Sequence, residues 1–273
     1  MTSFEPLFVQ VIADYGSADD MAFAEVRQAL RYVLRDKAAQ VDILSVPVFD
    51  TYATGFVLGQ LANNHPMGLN QLFYVNTAPR KDDTAARAND DGEGLAYVRL
   101  RNGVRIVAVN SGFSLSFVAD QADEMRHINC STDGSQFRSR DVFPQAFGLI
   151  AHGDESILED DIRAHVPAIP ESVVCYADGF GNLKTSIDAS ALKGLDGKRA
   201  IVTINGQSHE AIIGEGIFSV PEGTLVLSAG SSGWKDAKGN DRRFIECVWR
   251  GHSAAQLFGK PVGGSPVQWR VNG

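Results

Sequence analysis

Asp14 closes the apolar run LFVQVIAD (7–14) and belongs to ADYGSADD (13–20), so it puts a carboxylate at the C-terminal end of a strand. That edge is where open α/β sheets bind ligands. The stretch is not a phosphate loop. A GxGxxG fingerprint presents backbone amides to an anion, whereas Asp14 is an acceptor suited to a sugar diol or a cation. An aspartate that caps the next helix is the plain alternative. A second stretch, SQFRSRDVF (135–143), sets Arg138, Arg140 and Asp141 between Phe137 and Phe143 in a chain of net charge −8. A guanidinium stays charged at working pH, so it attracts anions and cannot trade protons. Read alone, the stretch is a solvated turn entering a helix, with Arg140 and Asp141 as a structural pair.

The elements that must position these residues are legible in the hydrophobic pattern. LFVQVIAD reads as a strand. In DDMAFAEVRQALRYVLRD the residues Met21, Val26, Leu30, Val33 and Leu34 fall near helical spacing, with Asp19 or Asp20 as the cap. VDILSVPVFD reads as a buried strand, TYATGFVLGQLANN as a helix and LFYVNT as a third strand. Strands separated by helices imply a parallel sheet. From Ala78 to Gly94 a charged, turn-rich segment reads as a long exposed loop. Two strands follow around Asn102-Gly103, then a short helix, FPQAFGLIAHG, that stops at Gly153. The segment from about Glu155 to Ser172, with Pro167 and Pro170, reads as a linker. Beyond it, short alternating runs (SVVCYAD, KRAIVTING, SHEAIIG, GTLVLSAG, RFIECVWR) have the spacing of a small barrel or sandwich. The fold class expected is α/β: an N-terminal, mostly parallel α/β sandwich domain over 1–160 and a C-terminal all-β barrel domain over 170–273.

Composition narrows the function. The chain has 33 Asp and Glu against 25 Lys and Arg and no basic stripe, which argues against a nucleic-acid partner. No apolar run approaches the roughly 18 residues of a membrane span, and MTSFEPLFVQV lacks the basic start of a secretory signal. A cytoplasmic location is expected, without membrane partners. Cys130, Cys175 and Cys247 are widely spaced, fit no zinc pattern and read as reduced and structural.

Taken in order, ADYGSADD, VFDTYATGFVLGQLA, FYVNTAPR, VNSG, FRSRDVF, YADGFGNLKTSI, SSG and HSAAQLFG cover nearly the whole chain. Their order and spacing resemble the S-adenosylmethionine hydroxide adenosyltransferases, the family that includes the fluorinase and chlorinase. Its usual motifs read TDFG, proline-aromatic-Asp, VVDPGVG, PDNG, FHGRD, DxFGN and NxGSAA. The resemblance implies S-adenosylmethionine as small-molecule substrate, no cofactor beyond it and no metal. It also implies a homotrimer with sites at subunit interfaces, one subunit's N-domain meeting its neighbour's C-domain. By the same resemblance Asp14 would hold the ribose hydroxyls and Phe49 would pack on the nucleoside or the methionine arm. Asp178 and Asn182 would bind the methionine amino and carboxylate groups, with Ser231 assisting, and Ser253 and Ala254 would present backbone to the adenine edge. Asn110, Phe137 and Phe180 stand with them among the substrate-binding positions. An aspartate and an asparagine can supply a zwitterion with one acceptor and one donor, although DGFGN alone reads as a plain turn.

The implied reaction is displacement at the ribose 5′ carbon, with methionine leaving and a small nucleophile arriving in line. In the hydroxide-transferring members, the VVDPG aspartate, a following arginine and the FHGRD histidine are thought to polarise a water. Here Asn76 and Arg138 occupy the aspartate and histidine positions, and neither trades protons with water. Ser139 falls where the halogenating members carry a serine beside the halide, but this chain lacks their tyrosine and YPATG loop. Asn76, Arg138 and Ser139 are therefore the candidate catalytic residues. One outcome is hydrolysis, with water oriented by Asn76 and Ser139 and with Asp82 or Asp83 as proton acceptor. The alternatives are adenosyl transfer to a halide or other anion drawn by Arg138, and a non-catalytic protein that binds S-adenosylmethionine or adenosine. Ser232 replaces an arginine of the halogenating members, and WKDAKGNDRR (234–243) reads as an inserted hairpin whose Trp234 packs on the barrel. His252 reads as a surface residue beside the adenine loop.

Overall fold

A computed structural model describes residues 6–78, 93–131 and 135–272. The chain divides into two compact units, Met1–Ala168 and Ile169–Gly273. Most of the loop expected over 78–94, including Asp82 and Asp83, lies outside the described residues.

The first unit opens β1 (Leu7–Ala13), α1 (Met21–Val33), β2 (Ala39–Ser45), α2 (Thr51–Asn63) and β3 (Gln71–Asn76). It continues with β4 (Leu95–Leu100), β5 (Arg105–Val109), β6 (Ala122–Ile128), α3 (Arg138–Asp141), α4 (Phe143–Ala151) and β7 (Leu158–Asp161). One sheet runs β2-β1-β3-β5-β4-β6-β7. Its first four strands are mutually parallel, while β4 is antiparallel to β5 and β6, and β7 to β6. The parallel part follows from the strand-helix alternation, because a crossover must return the chain to the same sheet edge. β7 joins the sheet from inside the stretch that reads as a linker.

The faces of this sheet explain the apolar runs. Val9, Val11, Ala13, Leu72 and Tyr74 share a core with Phe23, Val26 and Leu30 of α1 and Ala146, Phe147 and Ile150 of α4. By the two-residue alternation of strands, buried Ile12, Phe73 and Val75 face the opposite side. A strand covered on both faces reads as a continuous apolar run, which is how LFVQVIA and QLFYV appear. On α1 the buried row is Phe23, Val26, Leu30 and, just past the helix, Leu34. Met21, expected in that row, is 74% exposed. Asp20 supplies the cap, accepting from the Ala22 amide at 2.9 Å. The second strand stops at Ser45, short of the VPVFD that the pattern included, because the chain turns there and leaves Val48 exposed.

The second unit contains β8 (Val174–Ala177), β9 (Leu183–Asp188), β10 (Arg199–Ile204), β11 (Gln207–Ile213), β12 (Leu225–Lys235) and β13 (Asp241–Trp249). Helix α5 (Ala254–Leu257) and strand β14 (Val267–Val271) complete it. Its sheet runs β14-β10-β11-β12-β13-β9-β8 and curls into a half-barrel. An isolated bridge links Val173, just before β8, to Pro266, just before β14, and the Val174 amide donates to the Ser265 carbonyl at 2.8 Å. β10 and β11 are joined by Asn205-Gly206, both at positive φ, the two-residue turn whose twist matches paired strands. Trp234 is buried against Phe244, ring centres 5.2 Å apart, so it packs on the barrel. The exposed His252 stands 4.5 Å from the Trp249 ring. Among the described residues, no helix is long and apolar enough to cross a membrane.

Helix α2 is buried nearly all round, and its closest approach is at Gly55, where a Cβ would overlap the Phe113 carbonyl oxygen and press on the Phe117 ring. Gly55→Ala is therefore expected to lower stability by about 1–3 kcal/mol despite the better helix propensity of alanine, as read from urea unfolding.

Candidate functional site

In the first unit the predicted residues gather at the C-terminal ends of β1, β2 and β3. Asp14 is 5% exposed. Its Oδ2 accepts from the Phe49 amide at 2.8 Å and its Oδ1 from the Ala78 amide at 3.1 Å, while its own amide donates to the Asn76 carbonyl at 3.3 Å. One carboxylate thereby ties together the segments that follow β2 and β3. Phe49, half-buried, is held at φ 62°, a region an aromatic side chain rarely enters. Such an outlier persists only where its surroundings fix it, and the Asp14 bond does so here. The adjacent Asp50 caps α2 through the Ala53 amide at 2.8 Å.

Asn76 is the last residue of β3, in register with Ala13 of β1. Ser139, buried on α3, is fixed through its carbonyl, which accepts from the Tyr74 hydroxyl at 2.6 Å. Phe137 packs edge-on against Tyr15 at 5.6 Å and carries the Arg140 guanidinium at 5.2 Å from its ring centre. Arg140 also binds Asp141 at 2.6 Å and Glu25 of α1 at 3.0 Å. It is thus a structural strap between α3 and α1, and its bond to Asp141 is the main cause holding that carboxyl well below the usual carboxylate range. Arg138 is half-buried near Cys130, where burial raises the thiol pKa and the guanidinium opposes the rise. Asn110 follows β5, its amide donating to Gly94 at 3.0 Å. Beside it Ser111 donates to the Thr77 carbonyl at 3.0 Å, and the Thr77 and Thr54 hydroxyls bond at 2.6 Å.

Tyr15 is the residue the motif reading passed over. Its hydroxyl oxygen is sealed from solvent, approached by the Ser139 and Asn76 side chains but by no group among the described residues in full hydrogen-bond geometry. Burial is the largest influence on its pKa, which lies well above the ordinary phenol value. The Asp14 carboxylate adds to the rise, and the neighbouring Ser139 and Asn76 side chains oppose it. A buried donor left unpaired costs about 1–3 kcal/mol. The one signal in the sequence is ADYG itself, which has a tyrosine where TDFG has a phenylalanine.

In the second unit the DGFGN turn is locked by its own side chains. Asp178 Oδ1 accepts from the Phe180 and Asn182 amides at 3.0 Å, and Oδ2 from the Asn182 side-chain amide at 3.0 Å. Asp178 and Asn182 thus bond each other rather than standing as a separate acceptor and donor. Gly181, at φ 81°, lies so close to Ser253 that a Cβ would overlap the serine hydroxyl. The Ala255 amide donates to the Gly181 carbonyl at 2.8 Å, and the Ser253 hydroxyl caps α5 by accepting from the Gln256 amide at 3.1 Å. Asp178, Phe180 and Asn182 are thereby brought against Ser253 and the buried Ala254, while the Phe180 ring is 83% exposed.

Lys184 and Glu246, which motif reading missed, extend this cluster. Lys184 Nζ donates to Glu246 Oε1 at 2.7 Å and lies 3.8 Å from Asp178 Oδ2, with only 11% of its side chain exposed. Glu246 also accepts from the Ser232 amide and hydroxyl at 3.3 Å and lies 3.5 Å from the hydroxyl of exposed Ser231. Ser231 and Ser232 therefore reach Asp178 through a buried ion pair. A glutamate between buried Ile245 and Cys247 was the visible clue. Among the described residues, no group of three or more His, Cys, Asp or Glu is arranged to hold a metal ion.

The chain thus joins an α/β unit with polar groups at its strand ends to a half-barrel with a locked Asp-Asn turn. Residues 172–265, within the second unit, match the SAM hydroxide adenosyltransferase C-terminal domain. The whole chain is similar in fold to an uncharacterized conserved protein from Thermotoga maritima. The TM-score is 0.71 at 16% identity over 96% of this chain and 99% of that one. It is also similar to a conserved hypothetical protein from Thermus thermophilus, with TM-score 0.66 and 20% identity over 97% and 100% of the two chains. No curated protein matches the chain.

The buried pair yields a stability prediction. Lys184→Met leaves Glu246 without its cation and should cost about 3 kcal/mol in urea unfolding, while adding Glu246→Gln should restore at least half of that loss. Equal stability of the single and double variants would contradict the pairing.

Proposed function

We propose that the protein binds S-adenosyl-L-methionine and transfers its 5′-adenosyl group to a small nucleophile, water first among them. The observation that carries this reading is the DGFGN turn seated on Ser253, inside the segment that matches the family's C-terminal domain. Asp178, Asn182 and Ser231 would take the methionine zwitterion, with Phe180 and the backbone of Ser253 and Ala254 against the nucleoside. Asp14, a carboxylate with about four acceptor positions, would hold the ribose hydroxyls, with Phe49, Asn110 and Phe137 beside the ligand. The homotrimer remains part of the proposal, the ligand being shared between the first unit of one copy and the second unit of its neighbour. So does the cytoplasmic location.

Chemically, a lone pair of the nucleophile attacks C5′ as the C5′–S bond breaks, and its electrons neutralise the sulfonium to a thioether. Asn76, Ser139 and Arg138 hold and orient, so the rate would come from in-line placement and exclusion of water around the nucleophile. Water must also lose a proton, and none of these three groups accepts one. That favours a second reading in which the nucleophile is a halide or another small anion, which brings no proton to lose.

Incubation of the pure protein with S-adenosylmethionine, with every nucleoside product identified by mass, tests the reading. Adenosine is expected, a 5′-substituted adenosine names another nucleophile, and bound but intact substrate leaves a binding protein. Asp14→Ala should weaken nucleoside binding at least tenfold by calorimetry. Unchanged affinity in a folded variant would contradict the ribose assignment.

A further inference from the structure

We propose that the Tyr15 hydroxyl binds the attacking nucleophile, completing with Asn76 and Ser139 a set of three neutral polar groups at the end of β1. This deepens the adenosyl-transfer reading and rests on it. The phenol oxygen is sealed from water, and the Ser139 and Asn76 side chains approach it without meeting full hydrogen-bond geometry. Its ring cannot turn the hydroxyl elsewhere at no cost, because it is wedged edge-on against Phe23 at 5.0 Å and Phe137 at 5.6 Å. A rigid, dry hydroxyl that Ser139 and Asn76 approach without reaching full hydrogen-bond geometry leaves a small acceptor a place among the three groups. The nearby Asp14 carboxylate and the burial both keep the phenol protonated, so it donates and does not act as a base. The acceptor it suits is small and rich in lone pairs, since Ser139 and Asn76 are neutral and near, and water fits better than a small anion because the Asp14 carboxylate would repel the anion. The motif order places no tyrosine beside Ser139; the fold supplies one from the turn just after β1.

Tyr15→Phe removes one oxygen and keeps the ring packing, so it isolates the hydroxyl. Wild type and variant are assayed with S-adenosylmethionine in 18O-water, with and without added fluoride, chloride and bromide. Turnover of the variant is expected to fall at least tenfold, with its KM for S-adenosylmethionine within twofold of wild type and its thermal midpoint not lowered. Label in the 5′ oxygen of adenosine identifies water as the ligand of Tyr15, and a 5′-halo nucleoside identifies an anion, whose KM should then rise in the variant. An active wild type with an equally active variant overturns the assignment and leaves the adenosyl-transfer reading intact. A variant that loses S-adenosylmethionine affinity in step with turnover also overturns it, since the hydroxyl then serves the nucleoside. A wild type that neither binds nor converts S-adenosylmethionine overturns both.

Discussion

The first unit depends on one carboxylate accepting two backbone amides. Asp14 sits where β1 ends, and through Phe49 and Ala78 it fixes the chain as it leaves the neighbouring strands β2 and β3. Hydrogen bonds to a charged acceptor are worth about 1.5–3 kcal/mol, and leaving the amides unpaired would cost more than the bonds contribute. That margin is enough to hold Phe49 in a left-handed conformation that it would otherwise avoid. Asn76 lies in register with Ala13 and accepts the Asp14 amide through its carbonyl, while the Tyr74 hydroxyl bond to the Ser139 carbonyl ties α3 to β3.

The second unit uses the same device in another form. There a polar turn, rather than a strand edge, is made rigid by its own aspartate, and a buried lysine and glutamate extend the network to the serines of β12. A buried pair of this kind is weak evidence for stability, because removing two charges from water costs several kcal/mol per ion. Under the proposed function its value would lie in fixing donors and acceptors before a ligand arrives, so that little reorganisation is needed on binding.

Much of the fold was legible because its signals are local. The strand-helix alternation from Leu7 to Asn76 is written in apolar runs and helical spacing, and the half-barrel in short alternating strands between turns. β6 and β7 were not legible, since ADEMRHI and LEDD are polar and become strands only by pairing with strands already in place. The start of the α1 core row was misjudged for a similar reason: Met21 has the right spacing but projects beyond the sheet, and Phe23 takes its place. At the site, Asp14, Ser139 and the DGFGN turn stand out in the sequence because their motifs do. Tyr15, Lys184 and Glu246 do not, because each matters through partners far along the chain, Lys184 and Glu246 lying 62 residues apart. The mutual bond of Asp178 and Asn182 was hidden for the opposite reason, as the two residues were read as facing a ligand and not each other.

A structure determined with S-adenosylmethionine bound tests the central claim most directly. The account predicts both ribose hydroxyls within hydrogen-bond distance of the Asp14 carboxylate, and the methionine ammonium within the same reach of Asp178. A ligand seated elsewhere, with Asp14 bonded only to the backbone of its own chain, would contradict it.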